Sequence, residues 1–267
     1  MASAPQATNL PVLFNDLVPL NSQDHAKFRS RTLEGAHFLK NQHAIPLTAE
    51  EFSQAQHHYP IIFSAGPDPV PLALMGMNEG VNVFLDDDGK YRKPAYVPAY
   101  VRRYPFMLAR LRPDSQELSL CFDPTCEALG EFEEGEALFD GDQPSQTTKN
   151  ILQFCEDFER AVQGTAFFME ELKKHDLLMD GELKIEHPTL AQPFVYQGFQ
   201  MVNEEKLREL RGDELRKMNQ NGALPLIYAH LFSLDLMRVI FAKQVEQGKG
   251  PAAGSGSAKL ENVETGV

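Results

Sequence analysis

The chain has 267 residues, 42% of them apolar and 24% charged, with a formal net charge of −13. That is ample for a hydrophobic core without a metal or disulfide staple, and the excess of carboxylates argues against generic binding to nucleic acid or anionic lipid. Three cysteines, Cys121, Cys126 and Cys155, make no secreted disulfide framework, and the N-terminus lacks the basic and apolar runs of a signal peptide, so a soluble cytoplasmic protein is expected.

Along the chain, residues 1–20 read as an extended segment, 21–246 as a single domain and 247–267 as a small, polar, disordered tail. A short strand is expected around Phe28 to Thr32, and Ala44 to Leu47 reads as extended. Thr48 followed three residues later by Glu51 is a capping-box signature, opening a brief helix over 49–58 that Pro60 stops. Ile61-Ile62-Phe63, Leu72 to Met77 and Asn82 to Leu85 read as strands. Asp86-Asp87-Asp88-Gly89 then signals a hairpin turn. Further strands are expected at Phe106 to Leu111 and Leu118 to Phe122.

After Pro144 the period changes. Ile151, Phe154, Cys155, Phe158 and Val162 make the stripe of an amphipathic helix over 147–174, which Gly164 is expected to break or bend. Phe194 to Val202 reads as a strand, 204–219 as a charged helix and 224–246 as an apolar helix. His230, Asp235 and Arg238 interrupt the apolar run, which favours a core helix over a membrane span. The expected fold is α+β: a mostly antiparallel β N-terminal half packed with a helical C-terminal half.

The stretch Lys90 to Arg112 carries the most chemistry. Lys90, Arg92, Lys93, Arg102, Arg103, Arg110 and Arg112 stand there without an acidic residue, interleaved with Tyr91, Tyr96, Tyr100, Tyr104 and Phe106. Guanidinium forks and ring faces together suit a small anionic or aromatic ligand. The plain alternative is that the acidic segment 123–142 neutralises these charges within the fold. The candidate ligand-binding residues are therefore Tyr96, Tyr100, Arg102, Arg103 and Tyr104, with His230 added as a polar group in an apolar helix. His230 with Asp235, or His57, are the groups an enzyme would use for acid–base work. Cys121 and Cys126 lack the two further ligands of a structural zinc site, and His175 and His187 have no telling spacing, so no metal is expected. Walker, Gly-x-Gly-x-x-Gly and Gly-x-Ser-x-Gly patterns are missing, so no cofactor is expected and the commonest enzyme classes lose ground.

Several segments resemble the bacterial SapC family: His43-Ala-Ile-Pro-Leu-Thr-Ala-Glu-Glu-Phe52 leading to Tyr59-Pro-Ile-Ile-Phe63, Pro71-Leu-Ala-Leu-Met-Gly76 with Asn82-Val-Phe-Leu-Asp86, Tyr96-Val-Pro-Ala-Tyr-Val-Arg-Arg-Tyr-Pro-Phe106, Ala137-Leu-Phe-Asp140, and Ala223-Leu-Pro-Leu-Ile-Tyr-Ala-His-Leu-Phe-Ser233. A Trp is expected after the Asp-Gly turn in this family, and Tyr91 stands there instead. The resemblance implies an accessory or binding protein in small-molecule or peptide metabolism, with a protein partner such as a flavin-dependent halogenase-like enzyme. It assigns no catalytic residue. An enzyme of an uncommon class and a surface-layer-associated component are the alternatives.

Overall fold

The computed structural model of the chain describes residues 10–93, 95–111, 117–186, 192–250 and 257–260. Arg112, His187, residues 1–9 of the extended segment, and 251–256 and 261–267 of the tail lie outside the described residues. The protein is α+β, with antiparallel sheets concentrated in the N-terminal half and helices in the C-terminal half.

The chain forms two compact units. One is built from Tyr100–Arg160 with the described residues before Gly35; the other is built from Gly35–Ala99 with the described residues from Ala161 onward. The helix Gln146–Lys174 contributes residues to both and runs through Gly164 without a break.

In the first unit, Val18–Pro19, Ser119–Phe122 and Phe106–Ala109 make one antiparallel sheet, while Leu129–Glu131, Phe28–Ser30 and Glu136–Ala137 make another. Its core gathers Phe106, Leu108, Phe122, Leu129, Leu138, Phe139 and Cys155. Ile151 and Leu152 pack on it from the amphipathic face of the long helix.

The second unit centres on a six-stranded sheet in the order Leu178–Ile185, Phe194–Val202, Ile61–Ser64, Pro71–Leu74 and Ala44–Pro46, antiparallel along this path. The sixth strand, Ser257–Lys259, lies parallel to Val195–Gln197. It falls inside the tail whose small polar composition reads as unstructured; ladder hydrogen bonds need only backbone groups. Gly181 is required where it stands, because a Cβ would lie 2.2 Å from the Phe199 ring across the ladder.

Three elements depart from the sequence reading; the first is the charged helix expected over 204–219, which is two helices, Glu204–Glu209 and Gly212–Gln220. Asn82 to Leu85 forms no strand beyond the single bridge Leu85–Tyr91. The Asn82 carboxamide accepts from Phe84 N at 2.9 Å and donates to Leu39 O at 3.1 Å, drawing the backbone into a side-chain-bonded turn. The apolar stretch 224–246 is two helices, Ala223–Ser233 and Leu236–Glu246. At the break the Ser233 hydroxyl donates back to His230 O at 2.6 Å, and Leu234 N reaches Leu231 O. By length and composition this stretch passes for a membrane span, as core helices also do; Ile227, His230, Ser233, Met237 and Phe241 on it are buried.

Candidate functional site

Tyr100, Arg102 and Arg103 lie on a short helix, Ala99–Arg103, between Pro98 and Pro105. Successive helical residues are turned by about 100°, so the adjacent arginines face different surroundings. Arg103 is 4% exposed and Arg102 is exposed.

The Arg103 guanidinium lies 4.3 Å from the Phe158 ring centroid, 4.4 Å from that of Tyr100 and 5.8 Å from that of Phe14. Its Nη1 stands 3.7 Å from Glu159 Oε1, while Nε and Nη2 are buried and donate to no acceptor among the described residues. Ring faces take the place of hydrogen-bond acceptors around much of this cation. Burial pushes the Glu159 carboxyl up, with the Arg103 charge opposing it. The Tyr100 hydroxyl donates to Val12 O at 2.8 Å. Burial raises that phenol, with Arg103 acting in the opposite direction. The ion partner of Arg103 thus sits on the long helix, outside the acidic segment 123–142. Arg103→Ala is expected to lower stability by about 2–3 kcal/mol, through loss of a desolvated cation–ring cluster, as measured by urea unfolding.

Beside this cluster the first unit holds a cavity of about 400 Å³. Arg31, Arg102 and Arg103 line it, together with Leu33, Phe106, Ile151, Phe154 and Cys155, and among the described residues no carboxylate does. Arg102 stands 5.3 Å over the Phe154 ring, and Arg31 stands 3.6 Å over Phe132 while its Nε donates to Glu134 O at 3.4 Å. Tyr104 also lines the cavity; burial raises its phenol, as the nearby Cys126 and Asp123 do to a smaller extent. Cys155 is a free thiol that burial pushes up to about 12. Sequence reasoning missed Arg31, Leu33 and Asn150, which lie far along the chain from the basic stretch and carry no local signal.

The remaining candidates lie in the second unit. The Tyr96 hydroxyl donates to Glu51 Oε1 at 2.9 Å, and its carbonyl accepts from Tyr59 OH at 2.6 Å. The capping box forms as the spacing of Thr48 and Glu51 predicts. His230 is fully buried and stacks on Phe63 at 4.6 Å. Its Nδ1–H donates to Ile61 O at 2.7 Å and its Nε2 accepts from Val202 N at 3.1 Å, so both ring nitrogens are used and the ring is neutral. Burial drives its pKa down to about 4, against the opposing hydrogen bond to Ile61. Asp235 is exposed at the helix break, and His57 lies against a different hollow. These groups do not converge on His230 as an acid–base cluster.

No curated protein and no solved structure matches the chain. The family model described as SapC matches residues 20–240. That span contains the Ala99–Arg103 helix, the cavity lining and the buried histidine alike, and the chain belongs to the SapC family.

Proposed function

We propose that this chain is a non-catalytic accessory protein that binds a small anionic, aromatic molecule in the cavity of the first unit. One observation supports the reading above the others: in a chain of net charge −13, three arginines and no described carboxylate line a hollow with an apolar floor. Its volume falls in the range of small-molecule sites. The exposed Arg102 carries a planar fork suited to a carboxylate, and Phe154 and Phe106 make part of the lining aromatic. Cys155, held protonated at neutral pH by burial, is a poor nucleophile. His230 is spent on two backbone groups of the other unit. The lining therefore supports binding in preference to bond making. In this reading the protein works in the cytoplasm and passes its ligand to a partner such as a flavin-dependent halogenase-like enzyme.

Calorimetric titration with 1-naphthoate, an aromatic carboxylate, tests the reading. The protein is expected to bind it. Arg102→Ala is expected to weaken binding by about 10–100-fold, the worth of a charge-assisted pair, with the thermal midpoint unchanged. Absence of binding, or an affinity unchanged from the natural protein in both Arg102→Ala and Arg31→Ala, would overturn it.

A further inference from the structure

The second unit holds a cavity of its own, of about 450 Å³. Its floor is apolar. Val83 and Phe84 come from the segment before the Asp86–Lys90 turn, and Leu236, Val239 and Ile240 come from the helix Leu236–Glu246. The spacing of these three with Lys243 places them on one helical face.

Among the charged lining residues, Arg92, Lys93 and Lys243 outnumber the one carboxylate. His57, His58, Arg92, Lys93 and Lys243 line the cavity, and Glu246 is the single carboxylate among the described lining residues. The Lys243 ammonium lies 4.7 Å over the Phe84 ring and is half-buried. Burial presses its pKa down, Lys93 adds to that effect, and Glu246 opposes both. Among the described residues neither Lys93 nor Lys243 forms an ion pair. Two mutually repelling ammonium groups beside a low-polarity floor cost free energy that an anion between them would offset.

We infer that this cavity takes an amphipathic anion, an acyl chain ending in a carboxylate or phosphate. The chain rests on Phe84, Val239 and Ile240, and the head sits between Lys93, Lys243 and Arg92. Nothing in the reading of the first unit's cavity is needed for this site, which shares no residue with it.

The test is calorimetric titration of the full chain with dodecanoate and dodecyl phosphate below their micelle concentrations. Dodecyltrimethylammonium serves as the cationic counterpart. Both anions are expected to bind and the cation is not. Lys243→Met, which keeps the apolar stem, is expected to weaken both anions tenfold or more. Lys93→Ala, at an exposed position, is expected to weaken them in the same sense and keeps the test sound if Lys243→Met fails to fold. The inference is overturned if the cationic amphiphile binds as tightly as the anions, or if neither substitution changes their affinity. It is also overturned if the chain co-sediments with phosphatidylglycerol vesicles but gives no heat with the monomeric anions. Exposed Tyr228 and Phe232, stacked 5.8 Å apart, would produce that result as a membrane-facing surface.

Discussion

Replacing His230 by Ala is expected to destabilise the protein by about 3–5 kcal/mol, because two buried backbone groups lose their partner and a cavity opens beside Phe63. The imidazole joins the start of the strand Ile61–Ser64 to the end of the strand Phe194–Val202 from the helix Ala223–Ser233. One turn along, the Ser233 hydroxyl accepts from Ile61 N at 2.8 Å, so both polar groups of Ile61 are met by this helix. Protonation of the ring would set a second donor against Val202 N–H. The folded pKa of about 4 lies below the ordinary 6.5. Between those values the unfolded chain takes up a proton that the folded chain refuses. This contribution is therefore fully present above pH 6.5 and falls by about 1.4 kcal/mol per pH unit toward pH 4. Urea unfolding at pH 7.5 and pH 5 should show the natural protein losing about 2 kcal/mol more than His230→Gln. Equal losses would mean that the ring is not held neutral.

Glu51→Leu is expected to have a comparable effect, on the order of 4 kcal/mol. The carboxylate is 6% exposed and accepts four hydrogen bonds. Oε2 takes Thr48 N and Thr48 Oγ1, each at 2.9 Å, and Oε1 takes Tyr96 OH at 2.9 Å and Ala99 N at 2.6 Å. A side chain that begins as half of a capping box therefore also anchors the segment Tyr96 to Ala99. Leu would strand three kinds of buried donor. Gln keeps one acceptor oxygen but turns an N–H₂ toward donors, so Glu51→Gln should cost less, about 2–3 kcal/mol. Unfolding midpoints of the two variants check the order; a Gln variant as stable as the natural protein would contradict it.

Periodicity revealed the elements whose pattern is set by their own burial. The helix Gln146–Lys174 lies within one residue of its expected bounds; Cys155 and Phe158 on its apolar stripe are buried, and Ile151 packs against the first unit's core. The strand Phe194–Val202 has its expected bounds, its central place in the sheet demanding an apolar run. Leu178–Ile185 escaped notice because it stands at the end of the strand order, where Asp180, Glu182 and Lys184 meet solvent and mask the alternation. The break at Leu234–Asp235 was hidden because apolar composition is blind to a serine folding back on its own helix.

The site was legible only in part. The sequence singles out Arg102 and Arg103 together, yet one turns outward and the other is enclosed by three rings. The direction of each depends on where a five-residue helix begins between two prolines, which residue types alone leave open. Tyr96 stands out in the sequence as a ring of the basic stretch, and His230 as a polar group in an apolar helix. Whether such groups serve a ligand or the fold is decided by partners such as Glu51 and Val202, distant in sequence and brought close by topology.

The most direct measurement on the proposed ligand site is a crystal structure of the protein grown with 4-iodobenzoate, whose iodine is located by anomalous scattering. An iodine peak is expected in the first unit's cavity against Phe154 and Phe106, with the carboxylate toward Arg102. A cavity without iodine at saturating ligand, or a carboxylate turned away from the arginines, would contradict the proposed site.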